Sequence, residues 1–227
     1  MRLKIEFTKP ALIEADNQYI VNRFIHNLLG RDNIYHDVSS NYNVSNLCGG
    51  RLDKKTRLIS FKTSNPFIIV SSLDNEFLNK ILMGLLQKPF LTADCSFKDV
   101  TFINEELNDG WNNFLTLSPI LLKNRDDKFL TVKDADFSEK LREQTIRKLT
   151  AINPNLDLSD FDLIIEDKPL NRVCVRKVKS VYNYASICNV KIKGSKKIIE
   201  LLYNLGIGNS TGCGFGTIYK TFDYYKF

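Results

Sequence analysis

Residues 2–7, RLKIEF, alternate charged and apolar side chains, and residues 17–30, NQYIVNRFIHNLLG, abandon that alternation. A period of two is that of a half-buried strand. Ile20, Val21, Phe24, Ile25, Leu28 and Leu29 instead recur at helical spacing, with Gly30 where a helix stop belongs. The chain therefore opens strand, then helix. After the polar connection RDNIYHDVSSN (31–41), strand-like pieces recur at NYNVSNL (41–47), RLISFKT (57–63) and PFIIVSS (66–72). DNEFLNKILMGLLQKP (74–89) is a second helix, capped by Asp74 or Asn75 and closed by Pro89, and CSFKDVTFINEE (95–106) returns as a strand.

The same order then recurs. NFLTLSPILLK (113–123) reads as a strand, and DFSEKLREQTIRKLTAINP (136–154) as a helix with Leu141, Ile146 and Leu149 inward. FDLIIED (161–167), NRVCVRKVKS (171–180) and ICNVKIKG (187–194) read as strands, KKIIELLYNLG (196–206) as a helix and GTIYKTFDYY (216–225) as a last strand. Each half is β-α-β-β-α-β, the ferredoxin-like order, so the expected class is α+β with two tandem ferredoxin-like domains. The polar stretch NEELNDGWNN (104–113) places the junction, giving domains 1–108 and 109–227.

Composition sets the setting. The 227 residues are 43% hydrophobic, enough for a substantial core, and carry a formal net charge of +6, which permits a polyanionic partner without requiring one. Five cysteines, odd in number and without a C-x-x-C pair, point to neither a disulfide framework nor a zinc site. The first residues are strand-like rather than a signal segment, and no apolar run approaches the roughly 18 residues of a membrane span. A reduced, cytoplasmic protein with no membrane partner is expected.

Residues 206–216, GIGNSTGCGFG, hold five of the chain's eleven glycines. A helix-to-strand connection needs one glycine at the helix end, so the rest mark either an awkward connection or a close approach to something large. The spacing is Gly206-Ile-Gly208, five residues, then Gly214-Phe-Gly216. This resembles the C-terminal signature of the repeat-associated RNA-binding (RAMP) proteins of CRISPR systems. Within them the chain is most similar to the endoribonucleases that cut the repeat transcript (pre-crRNA) into guide RNAs. FLTLSPI (114–120), the histidine-bearing helix and loop, and the duplicated fold agree. The five central residues, NSTGC, lack the lysine or arginine usual in the superfamily. A phosphate held there would rest on the backbone at Gly206, Gly208, Gly214 and Gly216 and on Asn209, Ser210 and Thr211.

The only histidines are His26 and His36. At 100° per residue Tyr19, Asn22, Arg23 and His26 share the helix face opposite the apolar stripe, and six residues beyond Gly30 suffice to fold His36 back. Two imidazoles suit phosphodiester cleavage without a metal: one takes the 2′-OH proton, the other protonates the leaving 5′-oxygen. By resemblance His26 and His36 fall at catalytic positions, whereas Tyr42 stands where many members have a lysine. Tyr42, Tyr35 or Arg23 remain as stabilisers of the charged phosphorane. No cofactor and no metal are expected.

Arg172, Arg176, Lys177 and Lys179 form the most basic strand-like run, with Tyr182 and Tyr184 behind, and Lys191, Lys193, Lys196 and Lys197 follow. Cations supply phosphate affinity and tyrosines stack unpaired bases; a lysine-protected edge strand would read similarly. The expected function is a metal-independent endoribonuclease of CRISPR repeat RNA, leaving 2′,3′-cyclic phosphate and 5′-hydroxyl ends. The alternatives are a non-catalytic repeat-RNA-binding subunit of a CRISPR effector complex, or an unrelated binder of a small anion. Monomer and homodimer both stay open.

Overall fold

A computed structural model of the chain describes residues 1–30, 33–35 and 41–220. Its first half contains β1 (Arg2–Phe7), α1 (Gln18–Leu29), β2 (Tyr42–Val44), β3 (Phe67–Ser72), α2 (Asn75–Leu85), β4 (Phe90–Thr92) and β5 (Cys95–Phe102). These strands make one antiparallel sheet in the order β2-β3-β1-β5-β4. The alternation in β1 sets its faces. Leu3, Ile5 and Phe7 are wholly buried in the core that takes Val21, Phe24 and Ile25 from α1 and Phe77, Leu78 and Ile81 from α2, while Lys4 and Glu6 pair at 2.6 Å. Asp74 caps α2, its carboxylate accepting from Glu76 N at 2.8 Å. β3 is buried on both sides, because Phe67 and Ile69 join a second cluster with Ile103 and Leu117.

The second half contains β6 (Gly110–Thr116), α3 (Phe137–Ile152), β7 (Asp162–Glu166), β8 (Arg172–Val178), β9 (Val181–Ile187), β10 (Asn189–Gly194), α4 (Lys196–Leu205) and β11 (Ile218–Lys220). Its four-stranded sheet runs β7-β10-β6-β11, all antiparallel. In the first sheet β1 lies between β3 and β5 with β2 outside β3, and in the second β6 lies between β10 and β11 with β7 outside β10. The sequence offers three strands between α3 and α4 where this order uses two. The surplus is β8, which pairs only with β9 as a separate hairpin closed at Lys179 and Ser180. The first strand of this half also starts earlier than 113 and ends at Thr116, before Ser118 and Pro119.

Residues 103–109 connect the halves. Much of their contact is polar: Ser71 Oγ donates to Asn204 O at 2.7 Å, and Asn46 N donates to Ser118 Oγ at 2.9 Å. Arg2 is 2% exposed. A buried cation is costly unless it is hydrogen-bonded. Two of the Arg2 guanidinium nitrogens donate, to Tyr203 O at 3.1 Å and Ile218 O at 2.7 Å, Nε is buried without a hydrogen-bond partner among the described residues, and the group lies 3.9 Å above the Tyr203 ring centre. Among the described residues no helix is long and apolar enough to cross a membrane.

Candidate functional site

The glycine-rich loop enters from α4 at Gly206, makes a short 3-10 turn at Thr211–Cys213 and runs into β11. It is a wedge between the halves. A Cβ at Gly214 would lie 2.7 Å from Gln18 Cγ of α1, and one at Gly216 would overlap the Ile207 carbonyl; both residues have left-handed φ, 86° and 66°. Gly206 and Gly208 are likewise buried. The four glycines proposed as phosphate contacts are thus closely packed on the side that faces the fold. Thr211 is 4% exposed, its carbonyl accepting from Asn43 Nδ2 at 3.1 Å and its hydroxyl from Lys148 Nζ at 3.4 Å. Asn209 Oδ1 accepts from Lys123 N at 3.1 Å. Ser210 is the exposed member of this set, at the corner of the loop.

The polar face of α1 lies against this wedge. Asn22 Nδ2 donates to Gly212 O at 3.3 Å and approaches Cys213 Sγ at 3.8 Å. His26, one turn further along the same face, is half-buried, and Arg23 beside it is exposed. His36 lies outside the described residues. Tyr42 does not reach this surface. It is 4% exposed, with its ring stacked on Phe77 at 4.5 Å between centres, because β2 turns that side chain into the helix-covered core. Tyr35 packs edge-on against Phe77 and donates its hydroxyl to Asp74 Oδ2 at 2.7 Å. Burial and that carboxylate push the Tyr35 phenol well above its usual range, and its hydrogen bond draws Asp74 down. Of the three proposed phosphorane stabilisers Arg23 is exposed, Tyr35 is partly buried and Tyr42 is buried.

The β8–β9 hairpin completes the surface. Its inner side packs on Leu121 and Phe215 of the loop region through Cys174, Val178 and Ala185. Lys177 N donates to Asp16 Oδ1 at 3.1 Å just before α1, and Arg57 grips the same carboxylate at 2.8 and 2.9 Å. At the tip Lys179 Nζ stands 5.7 Å from the ring centre of Tyr19, on the α1 face that carries His26. Lys177 Nζ lies 5.5 Å from the centre of Tyr182, and Tyr182 and Tyr184 are both exposed. Arg176 is partly buried, with Nη1 donating to Val175 O at 3.1 Å. Arg172 is exposed at the far end of the hairpin, about 20 Å of strand from Lys179. The later lysines point elsewhere: Lys191 pairs with Glu166 at 2.8 Å, Lys193 with Asp160 and Lys196 with Glu200.

Against this geometry, residues 103–219 match the family model described as CRISPR associated protein Cas6, C-terminal. The chain belongs to the Cas6 family of CRISPR-associated proteins. It is similar to the "Putative CRISPR-associated endoribonuclease-like protein Cas6" of Pyrococcus furiosus, 28% identical over 163 residues. That match spans 66% of this chain and 66% of the relative, just under two thirds of each. The fold resembles a solved structure titled "An RAMP protein binding different RNA substrates", with TM-score 0.81, 20% identity, and coverage of 97% of this chain and 99% of the other. It also resembles a Cas6-related protein from Pyrococcus furiosus, with TM-score 0.80, 21% identity, and coverage of 97% and 98%.

Three residues of this Cas6-family site escape a sequence reading. Asn43, wholly buried in β2, donates its amide to both Thr211 O and Phe215 O at 3.1 Å, and Gln144 and Lys148 of α3 reach the loop from behind. The one signal for Gln144 and Lys148 is that they are polar side chains interleaved with Leu141, Thr145 and Leu149 along α3. A separate cleft of about 570 Å³ opens between the halves, lined by Arg51, Lys62, Ser64, Phe67, Leu117 and Tyr219 among others. Among the described residues no three His, Cys, Asp or Glu side chains cluster as metal ligands would.

Proposed function

We propose that this chain is a metal-independent endoribonuclease of CRISPR repeat RNA, built of two tandem ferredoxin-like domains whose junction carries the site. One observation supports the reading most: the α1 face bearing His26 is continuous with the loop, through Asn22 and Gly212, and with the basic hairpin tip, through Tyr19 and Lys179. An imidazole, cations and exposed aromatic rings thus share one surface, which is what cleaving and holding a single-stranded ribose–phosphate chain requires. In the step proposed, the 2′-oxygen attacks phosphorus as one of His26 and His36 takes its proton. The P–O5′ bond then breaks as the other imidazole protonates the departing oxygen. The products are a 2′,3′-cyclic phosphate and a 5′-hydroxyl, so no water and no metal enter the balance. Arg23 is the exposed cation positioned to meet the phosphorane charge, and the RNA continues over Lys177, Lys179, Tyr182 and Tyr184.

The second reading, a repeat-RNA-binding subunit without chemistry, is favoured by the burial of Tyr42, which removes one expected member of the catalytic set. Incubation with repeat RNA, and with the same RNA carrying a 2′-deoxy sugar before the scissile phosphate, separates the two. The enzyme binds both, cuts only the all-ribose substrate, and keeps its rate in EDTA. Binding of both RNAs with cleavage of neither makes it a subunit, and cleavage lost in EDTA and restored by magnesium overturns the metal-independent step.

A further inference from the structure

We infer that Lys148 and Gln144 of α3 are positioning residues for the glycine-rich loop, turning its carbonyl oxygens inward so that it can sit against a polyanion. The inference rests on the RNA-processing reading above. Lys148 Nζ donates to Leu205 O at 2.8 Å, Gly206 O at 3.1 Å and Thr211 Oγ1 at 3.4 Å. One turn earlier on α3, Gln144 Nε2 donates to Gly208 O at 3.2 Å. Leu205 and Gly206 close α4, where unsatisfied carbonyls concentrate roughly half a negative charge. Left outward, those oxygens would add negative charge to a loop that a phosphate backbone must approach.

Other donors treat four more of the loop's carbonyls alike. Asn43 takes the Thr211 and Phe215 carbonyls, Asn22 takes that of Gly212, and Ile207 N takes that of Gly216. The loop segment NSTGC itself carries no cation. Lys148 supplies one from below, and burial pulls its ammonium down to about 8. That desolvation is met by three oxygen acceptors, so the amine is held at a fixed place. Its effect on the reaction passes through the loop, since Gly212 bears on Asn22, one turn from His26.

The test is single-turnover cleavage of repeat RNA, with the salt dependence of binding measured in parallel, for wild type, Lys148→Met, Lys148→Arg and Gln144→Leu. Lys148→Met is expected to slow cleavage at saturating RNA by about 10- to 100-fold, the worth of charge-assisted hydrogen bonds, and to weaken binding in the same sense. Lys148→Arg restores most of the rate. The slope of log Kd against log salt stays at the wild-type value, because the ammonium touches no phosphate. A slope smaller by about one would make Lys148 a direct phosphate ligand and overturn the inference. So would Lys148→Met cutting and binding within about twofold of wild type, a change worth well under a hydrogen bond. If Lys148→Met does not fold, Gln144→Leu carries the test: slowed cleavage at an unchanged slope supports positioning, and an unchanged rate refutes it. Should wild type itself fail to cut, the nuclease reading falls, and the affinity and slope of the same variants still decide the inference.

Discussion

His26 is half-buried on α1, one turn beyond the asparagine whose amide holds Gly212. Removing one of two proton-transfer groups costs about 10²- to 10⁴-fold in rate, and an imidazole that acts only in the transition state contributes little to ground-state binding. His26→Ala is therefore expected to slow single-turnover cleavage by that range at nearly unchanged RNA affinity. Tyr42→Phe, which keeps the ring stacked on Phe77, is expected to cut at the wild-type rate. Normal cleavage by His26→Ala, or a large loss in Tyr42→Phe, would reverse the two assignments. The contrast explains what a sequence shows of single residues. Helical periodicity puts His26 opposite an apolar stripe long enough to define it. β2 is three residues long and buried on both faces, so no alternation says where Tyr42 points.

The loop and the hairpin belong to the scale of elements. Gly30 and Gly216 both have left-handed φ, but a Cβ at Gly30 meets nothing within 4 Å, while one at Gly216 runs into the backbone of Ile207. Holding an alanine at such a positive φ costs about 1–3 kcal/mol. Gly30→Ala is expected to lose that much in urea unfolding, and Gly216→Ala clearly more, because the Ile207–Gly216 hydrogen bond of 3.0 Å leaves the chain no room to move. Equal losses would mean the loop relaxes freely and is not a wedge. The helices were legible because each buries a stripe at period 3.6, and the glycine spacing marked an unusual approach. What lay beyond reading was its object: the glycines face Gln18, Asn43 and Leu121, contacts that only the assembled fold supplies. Of the β8–β9 hairpin the sequence shows the first arm as a β-branched, basic run, and nothing in that run names β9 as its partner.

For the whole molecule the question is what keeps two separate apolar cores together. The apolar cluster between them is small, with Cys48, Phe67, Ile69, Ile103 and Leu117, and the remainder is polar and joins residues up to 216 positions apart, too distant to be foreseen from the sequence. Arg2 is a buried charged side chain among these links. Exchanging it for methionine keeps much of the volume but leaves the buried Tyr203 and Ile218 carbonyls without their donor, each costing about 1–3 kcal/mol. The loss should fall on the junction rather than on either core. Trp111, the only tryptophan, lies on β6 of the second half, so its fluorescence reports that half, whereas circular dichroism reports both. In wild type the two signals are expected to unfold together in urea. In Arg2→Met they are expected to separate, with an earlier overall midpoint, because the halves no longer stabilise one another. Coincident transitions at the wild-type midpoint would show that the remaining contacts couple the halves without Arg2, and would leave the cation above Tyr203 without a part in assembling the site.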